Sequence, residues 1–300
     1  MDREGPASLE RFPPLGLLSV AVFALGTNAI LIRWSSAPSI VKGMYRLLFT
    51  TLVLVGPTAY WHREELRTLV FDGDFTRIVA AGGALAVNTW AFFESLEWTS
   101  VAASVVLAQT QIVFVAVGGY LLLGERLSGR KLGGMSIALL GVVLMSITGL
   151  VDASLFAGAA PLYGNGLAVL SGTSFAAYLL IGRSVRQRVS LLPYVIVVYA
   201  TSSAVLLAIA LADGETVALT AYPGHEILLF VAMAVGPGVV GHSLLNWVLE
   251  HVESNVVSVG FLGVPIVSTL LAALLLNEIP GIPTAIGGGL VLAGIYLTAE

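Results

Sequence analysis

The chain has 300 residues, 57% hydrophobic and 11% charged, with a mean hydropathy of +0.93 and a net charge of −4. A soluble domain averages roughly 25% charged residues, so this composition excludes an ordinary soluble fold. The chain holds no cysteine, which excludes a disulfide scaffold, a thiolate metal site and a cysteine nucleophile.

Met1–Pro14 carries charges of both signs and reads as a short cytoplasmic tail, not a cleaved signal peptide. Ten apolar stretches follow, at about 15–33, 40–61, 77–97, 100–123, 131–150, 163–182, 192–212, 226–249, 254–276 and 282–299. Each is long enough to cross a bilayer as a helix. The alternating ~10-residue segments of a membrane barrel are absent. The expected fold is all-α, with ten transmembrane helices.

The basic residues are unevenly shared among the connections. Arg3 and Arg11 precede span 1, and Arg63, Arg67 and Arg77 follow span 2. Arg126, Arg130 and Lys131 follow span 4, and Arg183, Arg186 and Arg188 follow span 6. The opposite side has only Arg33 and Lys42, while Arg46 lies within span 2. The positive-inside rule then puts both termini in the cytoplasm of a multi-pass protein of the cytoplasmic (inner) membrane.

The stretch from Glu97 aligns without a gap on the stretch from Glu250, at an offset of 153. Leu121-Leu122-Leu123 matches Leu274-Leu275-Leu276, Glu125 matches Glu278, Gly134 matches Gly287 and Gly141 matches Gly294. Five spans per half is an odd number, so the second copy enters the membrane upside down. The expected units are 1–150 and 151–300, two inverted repeats around a central cavity. That is a secondary-transporter architecture.

Polar groups inside the hydrocarbon are costly and mark candidate sites. Counting inward from the span ends puts Asn28, Asn88, Gln109, Ser174, Tyr178 and His242 near the midplane, with Gln111 and Asn246 slightly towards the cytoplasm. As a set they suit a buried aqueous cavity. Singly, each also suits a hydrogen bond between helices. Trp90, two residues beyond Asn88, is a candidate cavity wall. His242 and Asn246 share a helix face. His242 suits a proton relay, or a neutral hydrogen bond to substrate or helix.

Arg46 and Glu94 are the deepest charges and are expected to pair near the outer vestibule. That pair would brace two helices, or Arg46 would recognise a substrate carboxylate. Arg33 and Glu97 lie near enough to the surface to reach water. Pro57, Pro237 and Pro265 suit ordinary kinks, and the last two also suit gating hinges. Glu125 and Glu278 suit solvated helix ends or gates.

These residues resemble the drug/metabolite transporter superfamily, and within it the EamA-like transporters, over nearly the whole chain. The strongest parts are Ser95–Ser104, Leu121–Leu127, Val264-Pro265-Ile266, Leu274–Glu278 and Gly287–Gly294. Arg46 also stands where such proteins often carry an arginine. The resemblance implies ten helices in two inverted five-helix repeats and movement of small metabolites, commonly amino acids or related compounds, often outward. Gln111-Ile112-Val113 stands where the second copy has Val264-Pro265-Ile266, so a symmetric kink in spans 4 and 9 is not expected.

Other classes fit less well. No lysine follows a glycine, as a phosphate-binding loop requires. Ser39 and Lys42 match a Ser-x-x-Lys spacing, but in a short outer loop. A channel would want a ring of like charges or a carbonyl filter. The reading is a carrier working by alternating access, not an enzyme. Its partners are a small-molecule substrate and the lipid bilayer, without nucleic acid, metal or cofactor. The alternative is a proton-coupled exporter of drugs or amphipathic compounds.

Overall fold

A computed structural model describes residues 13–69, 73–124, 128–151, 160–251 and 260–299. The regular elements among them are all helices. Six are long and apolar enough to cross a membrane: Pro14–Trp34, Ser39–Trp61, Val101–Leu122, Pro161–Val185, Leu191–Ala212 and Gly224–Leu245. Gly263–Leu275 and Ile282–Thr298 are shorter apolar helices.

Span 1 is two helices, α1 (Pro14–Gly26) and α2 (Asn28–Trp34), joined at Thr27. The Thr27 hydroxyl donates to the Ala24 carbonyl at 2.7 Å, and Ser268 donates to the Gly26 carbonyl at 2.9 Å. Threonine bonding back to its own helix competes with the backbone ladder and bends it. Then come α3 (Ser39–Trp61), the short α4 (Arg63–Leu69) and the long α5 (Asp74–Trp98).

Span 4 is also divided, into α6 (Val101–Ala108) and α7 (Gln111–Leu123). The missing proline predicts no matching kink in spans 4 and 9, and the structure corrects that, with turns at Gln109–Thr110 and at Leu262. The Thr110 hydroxyl donates to the Leu107 carbonyl at 2.6 Å, and the amides of Gln109 and Thr110 bond three residues back rather than four. A side-chain hydroxyl thus interrupts the ladder without any proline.

The chain continues through α8 (Gly129–Val151), α9 (Pro161–Val185), α10 (Leu191–Ala212) and α11 (Gly224–Met233). A π-helical turn, Ala234–Gly241, leads into α12 (His242–His251). Pro237 sits inside this turn and has no N–H to give, so a regular α-ladder cannot run through it. The last helices are α13 (Gly263–Leu275) and α14 (Ile282–Ala299).

The second copy repeats the local devices of the first. The turn at Leu262 lies 153 residues after the break at Gln109. Gly124, at φ 69°, follows α7, and Asn277, at φ 55° and again 153 residues on, follows α13. Glycine and asparagine are the residues that best tolerate this left-handed backbone.

Ion pairs mark two ends of the bundle. At one end Arg33 meets Glu278 at 2.5 Å, and Lys42 meets Glu97 at 2.6 Å. At the other, Arg188 forks onto Asp74 with both contacts at 2.7 Å, and Glu65 accepts the Ser190 amide at 2.7 Å. α2 runs into the first end and α14 runs away from it, so Pro14 and Ala299 both lie at the second. That second end also carries the Arg-rich connections around 62–69 and 183–190.

Burial alone would raise Glu65. Hydrogen bonds from Ser190 and His62 outweigh it and hold the carboxyl below its ordinary 4.5. A carboxylate lowered by folding stabilises the folded chain above pH 4.5, and that contribution is lost as pH falls through the lower folded value. Thermal scans at stepped pH should therefore show the wild type losing Tm faster than Glu65→Gln below pH 4.5. Parallel curves would contradict this.

α8 and α14 pack backbone to backbone and antiparallel. A Cβ on Gly134 would lie 2.6 Å from the Gly294 carbonyl, and one on Gly141 would lie 2.5 Å from the Gly287 carbonyl. No side chain fits in that space, and in lipid such close approach drives helix association. Gly141→Val should cost about 1–3 kcal/mol by overpacking, read as a lower Tm in detergent. An unchanged Tm would contradict this packing.

Candidate functional site

A cavity of about 710 Å³ lies among α3, α5, α7, α9, α10, the π turn, α12 and α14. That volume is ordinary for a small-molecule site. At one extreme it reaches Arg186, which is exposed, and Leu191, so it opens towards the Arg-rich end.

Each wall has a structural reason. Asn88 projects from α5 and donates to the Ser171 carbonyl at 3.1 Å and the Ser171 hydroxyl at 2.8 Å, which fixes its amide against α9. Tyr178 on α9 stacks on Tyr194 of α10, with ring centroids 6.1 Å apart. Tyr199 and Gln111 also face the space. His242 and Ser243 enter it just after the π turn. That turn can approach α3 because of Gly238, whose Cβ would lie 2.8 Å from the Thr50 hydroxyl.

Arg46 lines the cavity from α3. Its guanidinium carbon lies 5.8 Å from the centroid of the Phe93 ring, a cation–π distance. Its Nε is buried without a hydrogen-bond partner. The expected pair with Glu94 does not form. Glu94 instead accepts the Trp98 indole N–H at 2.8 Å. Trp98 is one turn further along the same helix, on the same face as Glu94.

Of the residues expected at the site, Asn88, Gln111, Tyr178, His242 and Arg46 line this cavity. Trp90 packs against the main apolar core instead, because residues two apart on a helix face different ways and Asn88 takes the cavity side. Gln109 is buried in the break of span 4, where its side-chain Oε1 accepts from Gln111 Nε2 at 3.2 Å. Asn28 begins α2, and its buried Oδ1 has no partner and no place in the cavity wall. Ser174 is half-buried and outside the lining, where Phe175 and Tyr178 form the α9 wall. Pro237 is buried in the π turn and Pro265 in the first turn of α13. The Asn246 side chain and Glu125 lie outside the described residues.

Beyond the cavity lining, at the Arg-poor end of the bundle, Glu278 and Glu226 bond the two halves of the chain to each other, and Lys42 bonds within the first half. Glu278 takes Arg33 at 2.5 Å and the Val101 amide at 3.0 Å, capping α6. Glu226, almost fully buried, takes the Ser35 hydroxyl at 2.5 Å and both the amide and hydroxyl of Ser36 at 2.7 Å. Lys42, also buried, adds the Ile32 and Ser35 carbonyls to its bond with Glu97. Sequence reasoning passed over Glu226, Tyr194 and Tyr199. The available signals were a carboxylate in the first turn of span 8 and two phenols in the apolar first half of span 7.

Comparison with known proteins adds to this geometry. The model of the EamA-like transporter family matches residues 13–147 and again residues 162–299. Two relatives from Archaeoglobus fulgidus are each described as an uncharacterized transporter. One is 26% identical over 85% of this chain and 85% of its own length. The other is 27% identical over 94% and 96%. A solved crystal structure superposes with a TM-score of 0.62 at 18% identity, covering 95% of this chain and 96% of that one, which is a likeness of fold.

Proposed function

The chain belongs to the EamA-like transporter family, a multi-pass membrane protein of a family that moves small compounds; from that premise we propose that it is a secondary carrier of small organic metabolites working by alternating access. The observation that carries this reading is the cavity's asymmetry. Its lining reaches the exposed Arg186 at the Arg-rich end, and beyond its lining, at the other end of the bundle, Arg33–Glu278 and Glu226–Ser35–Ser36 hold the halves together.

In this reading the ten spans form two five-helix halves, 1–150 and 151–300, inverted with respect to each other. The glycine contacts support it. A two-fold axis exchanging Gly134 with Gly287 and Gly141 with Gly294 turns the Gly134–Gly294 contact into the Gly287–Gly141 contact, and both are present. By the positive-inside rule the Arg-rich end is cytoplasmic, as are both termini, and the cavity faces inwards. Binding from that side followed by opening of the Arg-poor end is export. Substrate would then stand among Arg46, Asn88, Gln111, Tyr178, Tyr199 and His242. The breaks at Thr27, Gln109 and Pro237 supply places where helix halves turn independently.

The test is counterflow in proteoliposomes. Vesicles loaded with an unlabelled metabolite should accumulate the same labelled metabolite transiently, and saturably with concentration. Flux that stays linear in concentration, with no counterflow for any amino acid or organic acid, would remove the carrier reading.

A further inference from the structure

The cavity has a charge but no counter-charge. Arg46 brings a guanidinium into its wall, and the buried Nε has no hydrogen-bond partner. The nearby carboxylate, Glu94, is engaged by Trp98. Among the described residues lining the cavity there is no aspartate or glutamate, and the second cation, Arg186, stands at the mouth. A cation kept in a low-dielectric interior is costly unless something anionic joins it. The remaining wall is largely aliphatic, with rings such as Phe175 and neutral polar groups such as Asn88, Tyr178 and Tyr199.

Resting on the carrier reading of this cavity, we propose that its substrate is an organic monoanion whose carboxylate meets the Arg46 guanidinium, with an apolar or aromatic body and no free ammonium group. Arginine is the side chain best shaped for this task, since its planar fork matches a carboxylate with two parallel bonds. Phe93 behind the guanidinium holds the fork in place from its apolar side. A free ammonium, as in an unmodified amino acid, would find no carboxylate in the wall and would be repelled by Arg46. A volume of about 710 Å³ is far larger than a halide needs and suits a body of some size beside the carboxylate. Arg186 at the mouth raises the local concentration of anions entering from that end.

The test reads binding and is independent of flux. Ser243 lines the cavity and the chain has no cysteine, so Ser243→Cys supplies a single reporter thiol. The rate of maleimide labelling of the purified protein is measured with pyruvate, 3-phenylpropanoate and N-acetylphenylalanine. The controls are 3-phenylpropanamide, 3-phenylpropylamine, phenylalanine and sodium chloride at matched ionic strength. At least one carboxylate should slow labelling by about tenfold at a concentration where the amide, the amine and phenylalanine do not, as expected of one charge-assisted contact. Arg46→Gln should remove that protection, and Arg46→Lys should retain part of it. Equal protection by the neutral or cationic compounds, by phenylalanine or by chloride would overturn the proposal. So would protection that survives Arg46→Gln, or no protection by any carboxylate. Failure here with counterflow intact would leave a carrier of another substrate class. Failure of counterflow with carboxylate protection intact would leave a binding site in something other than a carrier.

Discussion

Glu278→Gln is expected to open the Arg-poor end of the bundle. Glu278 does two jobs, holding Arg33 at 2.5 Å and capping α6 through the Val101 amide at 3.0 Å. Glutamine keeps the volume and the acceptor for Val101 but loses the charge that holds Arg33. A hydrogen bond to a charged group contributes roughly 1.5–3 kcal/mol. The pair is only partly shielded from water, with side chains 22% and 17% exposed, which favours the lower figure. A loss of about 1.5 kcal/mol moves the ratio of the two conformations by about tenfold. Glu226 still ties α11 to the Ser35–Ser36 turn, so the variant should shift the equilibrium without unfolding. With Ser243→Cys as the only thiol, an impermeant maleimide applied to the Arg-poor face should react about tenfold faster than in the Glu278 parent. An unchanged rate would make the ion pair a brace and not a gate.

Glu97→Ala is expected to destabilise the chain more than Lys42→Met does. Lys42 is fully buried and its ammonium is held by Glu97 at 2.6 Å, with two backbone carbonyls beyond 3.2 Å. Removing the lysine leaves a carboxylate that is 43% exposed and reaches water. Removing the glutamate leaves a buried cation without its counter-charge. Breaking a fully buried pair from one side costs roughly 3–5 kcal/mol. The exposure of Glu97 lowers this to about 2 kcal/mol here. The double variant Lys42→Met/Glu97→Ala should recover most of the loss, measured as Tm in one detergent. A double variant no better than Glu97→Ala alone would contradict the account of a stranded charge.

Position along each helix could be counted from the sequence, and direction around each helix could not. Counting inward put Asn88, Tyr178 and His242 at one depth, and they share one cavity. The same count put Trp90 and Ser174 there, and neither lines it, because depth does not say which face a residue takes. Arg46 and Glu94 stood at similar depth on neighbouring spans, yet Glu94 turns along its own helix to Trp98. Arg33 and Glu278 are 245 residues apart, so only the assembled fold brings them together. The helix breaks were hidden for another reason. Proline is the usual sign of a break, and at Thr27 and Thr110 a hydroxyl does the work instead. The polar Thr27-Asn28 and Gln109-Thr110-Gln111, each interrupting an apolar run, were its trace in the sequence.

The account rests on two halves of one polypeptide crossing the bilayer in opposite senses. Single cysteines at Ser128, before α8, and at Asn277, after α13, test this in whole cells and inverted vesicles. Both positions are exposed, and they lie at opposite ends of the bundle. An impermeant thiol reagent should label Asn277→Cys from outside intact cells and Ser128→Cys only in inverted vesicles. Labelling of both positions from the same face would contradict it.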